Sequence, residues 1–248
     1  MTSQCVPFVI LFTARTGSSH LTQSLNSHPQ IRAQGEGLGR LRREGATGAT
    51  QLAWAREALE ADPTLSAVGF KAKPDQPLDA SAFAALLCDI RPRIVHLARR
   101  NTLKQAVSIV RVSRLQALEG RSNRRRSREG EASFLPPFRI DPGELTGAID
   151  YLETQRGELA RLLERLRLPT LNAFYEDLLA DERRAFARVL DFLGVPHMTL
   201  GSRVAKGTPD DLTAAVPNLE ELTEALRGTP YERILSNGQT AGIAEPGT

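Results

Sequence analysis

Arg15, Thr16, Ser18 and Ser19 gather one permanent positive charge and three hydroxyls around Gly17. The chemistry open to such a cluster is the binding of a compact anion. An apolar run, Val6 to Phe12, precedes it, and apolar residues recur at helical spacing after it (Leu21, Leu25). The stretch Phe8–Leu21 therefore reads as a buried strand, a tight turn and the N-terminus of a helix. Backbone N–H groups at such a turn, together with the positive end of the helix dipole, attract anions. An ordinary strand-to-helix turn with Ser18 as N-cap is the plainer alternative. A loop for ATP or GTP would be longer, richer in glycine and end in Gly-Lys-Ser/Thr, its lysine reaching the terminal phosphates. Ala14–Ser19 is shorter and has no lysine beside the hydroxyls.

A second group of candidates follows the apolar run Ile94–Leu97. Arg99 and Arg100 stand at its end, and Ser108 lies eight positions after Arg100 on the next predicted helix. An arginine at a strand end and a serine two helical turns on can converge on one anion. The alternative is a pair of surface charges and an exposed helical serine.

The elements that must position these groups alternate strand and helix. Ile31–Gln34 reads as a strand ending in Gly35-Glu36-Gly37, and the Gly- and Arg-rich segment Leu38–Thr50 as an irregular loop. Gln51–Ala61 is a predicted helix, Ser66–Lys71 a strand, and Ala80–Cys88 a helix capped by Asp79. Asn101 or Thr102 caps a helix to about Leu118. A long helix runs from Gly143 to about Arg167, a strand covers Leu171–Phe174, and a helix Asp181–Leu193 stops at Gly194-Val195-Pro196. One more helix is expected near Leu219–Leu226. The pattern predicts an α/β fold: a three-layer sandwich around a central parallel sheet of about four to five strands, with ligands at the strands' C-terminal ends.

Four separated motifs, in order, resemble the sulfotransferase family that uses 3′-phosphoadenosine 5′-phosphosulfate (PAPS), most closely its bacterial and Golgi-type branch. They are Arg15–Ser19; His28-Pro29 followed by Gly35-Glu36; Arg100 with Ser108; and Phe174–Leu178 leading into the helix that ends in Phe192-Leu193-Gly194-Val195-Pro196. The resemblance implies a P-loop-like fold in one domain spanning 1–248, with PAPS as co-substrate and no metal. It gives the 5′-phosphosulfate to Arg15, Thr16, Gly17, Ser18 and Ser19 (loop about 13–21), and the 3′-phosphate to Arg100 and Ser108 (about 94–118). Arg15 takes an electrostatic role, since arginine does not give up its proton. Glu36 resembles the family's catalytic glutamate, a general base for an acceptor hydroxyl. His20 is the competing base, or a ring that stacks on the adenine. Tyr175 matches a position at the adenine edge, with a core aromatic as its plainer reading. Lys206 partly matches a lysine closing over the 3′-phosphate. His96, inside a predicted strand, reads as a core or half-buried histidine.

Arg121–Arg128 holds five arginines in eight residues within a segment, about 119–142, expected to be mobile. No aromatic residues interleave with them, which argues against single-stranded nucleic acid. In the family this region helps form the acceptor mouth, so Arg121–Phe138 and Gly37–Thr50 are expected to flank the acceptor, a saccharide, lipid-linked sugar or other small molecule. Beyond about 197 a loop with one helix is expected. A charged fraction of 25%, a net charge of +3 and two cysteines suit a cytoplasmic protein without a disulfide framework or bound nucleic acid. No apolar run approaches about 18 residues, so membrane insertion is not expected. A kinase-like phosphotransferase, or a non-catalytic anion- or nucleic-acid-binding module, are the competing functions.

Overall fold

The structure, a computed structural model, describes residues 5–119, 136–202 and 211–235. These group into two compact units, one drawn from 1–98 and 154–202, the other from 99–153 and 203–248.

The first unit is built on a parallel sheet of five strands: β1 (Val6–Phe12), β2 (Ile31–Gln34), β3 (Ala67–Ala72), β4 (Arg93–Ala98) and β5 (Thr170–Phe174), in the order β2-β3-β1-β4-β5. Side chains of a strand alternate between faces, and β1 is apolar on both. Phe8, Ile10 and Phe12 pack with Leu21 and Leu25 of α1 (Ser18–Leu25) and with Phe186, Val189, Leu190 and Leu193 of α8 (Glu182–Leu193). Val9 and Leu11 pack on the other face with Ala55 and Ala58 of α3 (Gly48–Ala58), Phe83 and Leu87 of α4 (Ala80–Ile90), and Leu159 and Leu166 of α6 (Pro142–Leu166). The result is the three-layer α/β sandwich with a parallel sheet that the strand–helix alternation predicts. Chain order reverses about β1, with β3 on one side and β4 on the other, so its C-terminal end is the switch point where ligands of such sheets bind.

Segment 38–50 differs from the expected loop. It contains α2 (Gly37–Arg43), then the start of α3, where the Thr47 hydroxyl accepts from Thr50 N. Glycine disfavours a helix by roughly 1 kcal/mol relative to alanine. Here Gly37 and Gly39 lie against Trp54 and Gln76, where a methyl group on either glycine would overlap the neighbouring side chain. Tertiary packing overrides propensity. A short helix α7 (Tyr175–Ala180) also stands between β5 and α8, which Asp181 caps and left-handed Gly194 ends.

In the second unit, α5 (Thr102–Glu119), the first half of α6 and α9 (Leu219–Leu226) enclose a core of Val107, Leu145, Ile149, Leu152, Leu222 and Leu226. Asn101 caps α5, its Oδ1 accepting from Lys104 N at 2.8 Å. The buried Arg111 donates to Ala215 O at 2.9 Å within this unit. No helix among the described residues is long and apolar enough to cross a membrane.

Candidate active site

The turn after β1 is tight because two of its residues adopt left-handed backbone, Arg15 at φ +63° and Gly17 at φ +82°. That region is open to glycine and strained for arginine, and such strain clusters at functional sites. Gly17 is required twice, because a Cβ there would also stand 2.5 Å from Cδ2 of Tyr175. The Tyr175 ring thus lies directly against the loop. Gly17 caps α1 and Ser18 is its first helical residue, so the Ser18 side chain is not spent on capping. Thr16 is fully buried and its hydroxyl donates to Thr13 O at 3.0 Å, bracing the turn. Ala14 N donates to Oε1 of Gln155, a buried α6 side chain.

Lys71, which sequence reasoning missed as a site residue, ties the loop to Glu36. It stands near the end of β3, opposite Ile10 of β1, and is 5% exposed. Its Nζ donates to Ser19 Oγ at 2.9 Å and Ser18 Oγ at 3.3 Å, and pairs with Glu36 Oε1 at 3.2 Å. The three protons of the ammonium thus have three acceptors. The Phe12 ring lies 5.4 Å from the same nitrogen. Strand order explains the bridge: β3 runs between β1, which leads into the loop, and β2, which leads into Glu36. Those two strands are about 10 Å apart, two inter-strand spacings. Only a long side chain on the strand between them can touch both. Burial pushes the Lys71 ammonium below its ordinary value of 10.5; Glu36 pulls it back up, while Arg15 and Lys73 push it down further.

Glu36 is the N-cap residue of α2, and its side chain is 31% exposed. Its second oxygen, Oε2, accepts from Gln76 Nε2 at 2.6 Å. The carboxylate is therefore gripped at one oxygen by a cation and at the other by a neutral amide, with part of its surface open.

His20, one residue beyond the serines, contacts α8. Its Nε2 lies 3.0 Å from Glu182 Oε1 on α8, and its ring packs 5.9 Å from that of Phe186. His28, in the His-Pro motif, is buried, with Nε2 3.0 Å from Pro196 O while Nδ1 accepts from Gln30 N. It staples the start of β2 to the end of α8, which makes it structural. His96 reaches Asn172 on the neighbouring strand β5 at 2.9 Å. In the second unit, Arg100 is exposed just before α5 and Ser108 is buried on that helix. Lys206 and the Arg121–Arg128 run lie outside the described residues. No group of three or more His, Cys, Asp or Glu side chains among the described residues is arranged to hold a metal.

No family model matches the chain. Nodulation protein H of Rhizobium meliloti is 28% identical over 241 residues, 92% of this chain and 94% of that protein. Nodulation protein H of Rhizobium tropici is 27% identical over 243 residues, 92% of each. The crystal structure of a sulfotransferase from Alicyclobacillus acidocaldarius matches 93% of this chain and 92% of its own, with a TM-score of 0.52 and 16% identity. The chain has the sulfotransferase fold. Within that fold the motif residues Arg15–Ser19, Glu36 and Tyr175 all belong to the first unit, and the sulfotransferase resemblance carried by the motifs agrees with the architecture. What the motifs omit is Lys71, Gln76 and Gln155. A lysine in an otherwise apolar strand was the available signal, since lysine is almost never fully buried unless paired.

Proposed function

We propose that the chain is a sulfotransferase enzyme that moves a sulfuryl group from PAPS to a hydroxyl of a saccharide or other small-molecule acceptor. The observation that carries this reading is the Lys71 ammonium, bound at once to the loop hydroxyls and to Glu36. It gives the anion loop and the carboxylate a common centre of charge. Glu36 accepts the acceptor's proton as the new S–O bond forms, and the bond from sulfur to the bridging phosphosulfate oxygen breaks. The electron pair leaves with 3′-phosphoadenosine 5′-phosphate (PAP). Arg15, Lys71 and the N-terminal amides of α1 offset the charge that builds on the leaving phosphate and the transferring oxygens, often the largest catalytic term. Arg15 suits this through its planar, permanently charged fork.

Tyr175, which packs on Gly17, is assigned to the adenine edge, and Arg100 and Ser108 to the 3′-phosphate on the motif alone. Arg100→Ala should weaken PAP binding by on the order of 2–5 kcal/mol. Cys5 and Cys88 are both free, which supports a cytoplasmic setting.

A kinase-like phosphotransferase gains some support from Lys71, because an ammonium at the loop hydroxyls is what a bound triphosphate would use. Thermal shift separates the two readings. At about 100 times its Kd, PAP in EDTA should stabilise the protein by roughly 2.7 kcal/mol, with no effect from ATP-magnesium. Stabilisation by ATP-magnesium and none by PAP would overturn the sulfotransferase reading.

A further inference from the structure

Two buried glutamines stand behind Glu36. Gln76, 5% exposed, follows β3, and Gln51, 2% exposed, lies on α3. The Gln76 amide is used at both ends: Oε1 accepts from Lys73 N at 3.0 Å and Nε2 donates to Glu36 Oε2 at 2.6 Å. Each contact requires the same orientation of the amide, so its placement is doubly determined. Gln51 braces the backbone on either side. Its Nε2 donates to Leu38 O at 2.7 Å and Gln76 O at 3.1 Å, and its Oε1 accepts from Leu78 N at 2.7 Å. Leu38 belongs to the helix that Glu36 begins. Gly39, one residue further, leaves room for the amide, since a Cβ there would stand 2.7 Å from Gln76 Nε2.

We infer that Gln76 is a positioning residue for Glu36, aiming the carboxylate at the acceptor oxygen, with Gln51 holding Gln76 in place. Resting on the reading of Glu36 as base, this division of labour has a physical reason. Lys71 divides its protons between Oε1 and the loop hydroxyls, the groups an anion in the loop would engage. A neutral amide on Oε2 holds the carboxylate independently of the loop and without adding charge. Misplacing a catalytic group by about 1 Å can cost on the order of 10²-fold in rate.

The test uses the full chain with carbon-13 in its glutamate carboxyls, the Glu36 line being the one lost in Glu36→Gln. Three variants disturb the amide differently. Gln76→Met removes it, Gln76→Glu keeps the acceptor for Lys73 N but replaces the donor, and Gly39→Ala crowds Nε2. The Glu36 line should move in each variant that folds. PAP formation from PAPS, with methyl glucoside or water as acceptor, should fall about 10- to 100-fold. PAP affinity should stay within about twofold, and Gln76→Met should add no loss in a Glu36→Gln background. An unmoved Glu36 line, or a full additional loss in that background, would overturn the positioning role. Wild-type turnover by Glu36→Gln would instead overturn the base reading itself. Inactive Glu36→Gln beside fully active Gln76 variants would overturn positioning alone.

Discussion

Two side chains that could take a proton from an acceptor, Glu36 and His20, flank the same loop in different settings. Glu36 faces a lysine whose side chain is 7% exposed and a buried glutamine amide. His20 faces Glu182, which is 50% exposed, and the flank of Phe186. Charge interactions are strong where water is scarce and weak where it is plentiful. The Glu36 environment can therefore hold a carboxylate in one orientation and couple it to an anion in the loop. The His20 pair, half-buried at the histidine and open to water at Glu182, fastens α1 to α8. Two side chains flanking one loop in sequence are thus held by different partners, a lysine and a glutamine amide at Glu36 and a glutamate at His20.

The largest expected effect is at Glu36. Glu36→Gln should lower PAP formation about 10²–10⁴-fold while leaving PAP affinity intact, as rate assays and calorimetric titration would show. Lys71→Met comes next, with a loss of about 10²–10³-fold in turnover. The same variant reports on stability. Because burial depresses the Lys71 ammonium in the folded state, folding is penalised at neutral pH, and the penalty lifts as pH rises from that depressed value towards 10.5. Wild type should therefore gain stability relative to Lys71→Met between pH 7 and 10.5 in thermal denaturation. A Gly17→Ala exchange forces alanine to a left-handed φ and a methyl into the Tyr175 ring. It should cost at least about 1–2 kcal/mol in urea denaturation and weaken PAP binding. The smallest effect belongs to His20→Asn, which should cost less than about 1 kcal/mol and leave turnover nearly unchanged. A collapse of turnover in His20→Asn would reverse the comparison.

The strand–loop–helix unit was legible because each part has a local cause: an apolar run buried on both faces, a glycine with positive φ, and helical spacing after it. The cap at Asp79 and the stop at Gly194 were legible for the same reason. Helix α2 was not, since glycines and arginines favour a loop locally and the helix rests on Trp54 and Gln76, contributed by later segments. The Lys71 bridge was hidden more deeply. It joins residues 35, 52 and 53 positions apart, and they meet only because β3 lies between β1 and β2. Alternation of strands and helices predicts a parallel sheet but not the order of strands within it. Glu36 and Tyr175 came from the resemblance, and the structure adds a physical setting for each.

Lys71 and Glu36 should act as one unit across the strand ends. A double-mutant cycle on PAP formation tests this most directly, with Lys71→Met, Glu36→Gln and the combined variant assayed at saturating PAPS. The combined variant should be slower than Glu36→Gln alone by clearly less than the loss Lys71→Met causes in the wild type, because part of that loss is the loosening of Glu36. Losses that simply multiply, each independent of the other, would contradict the account.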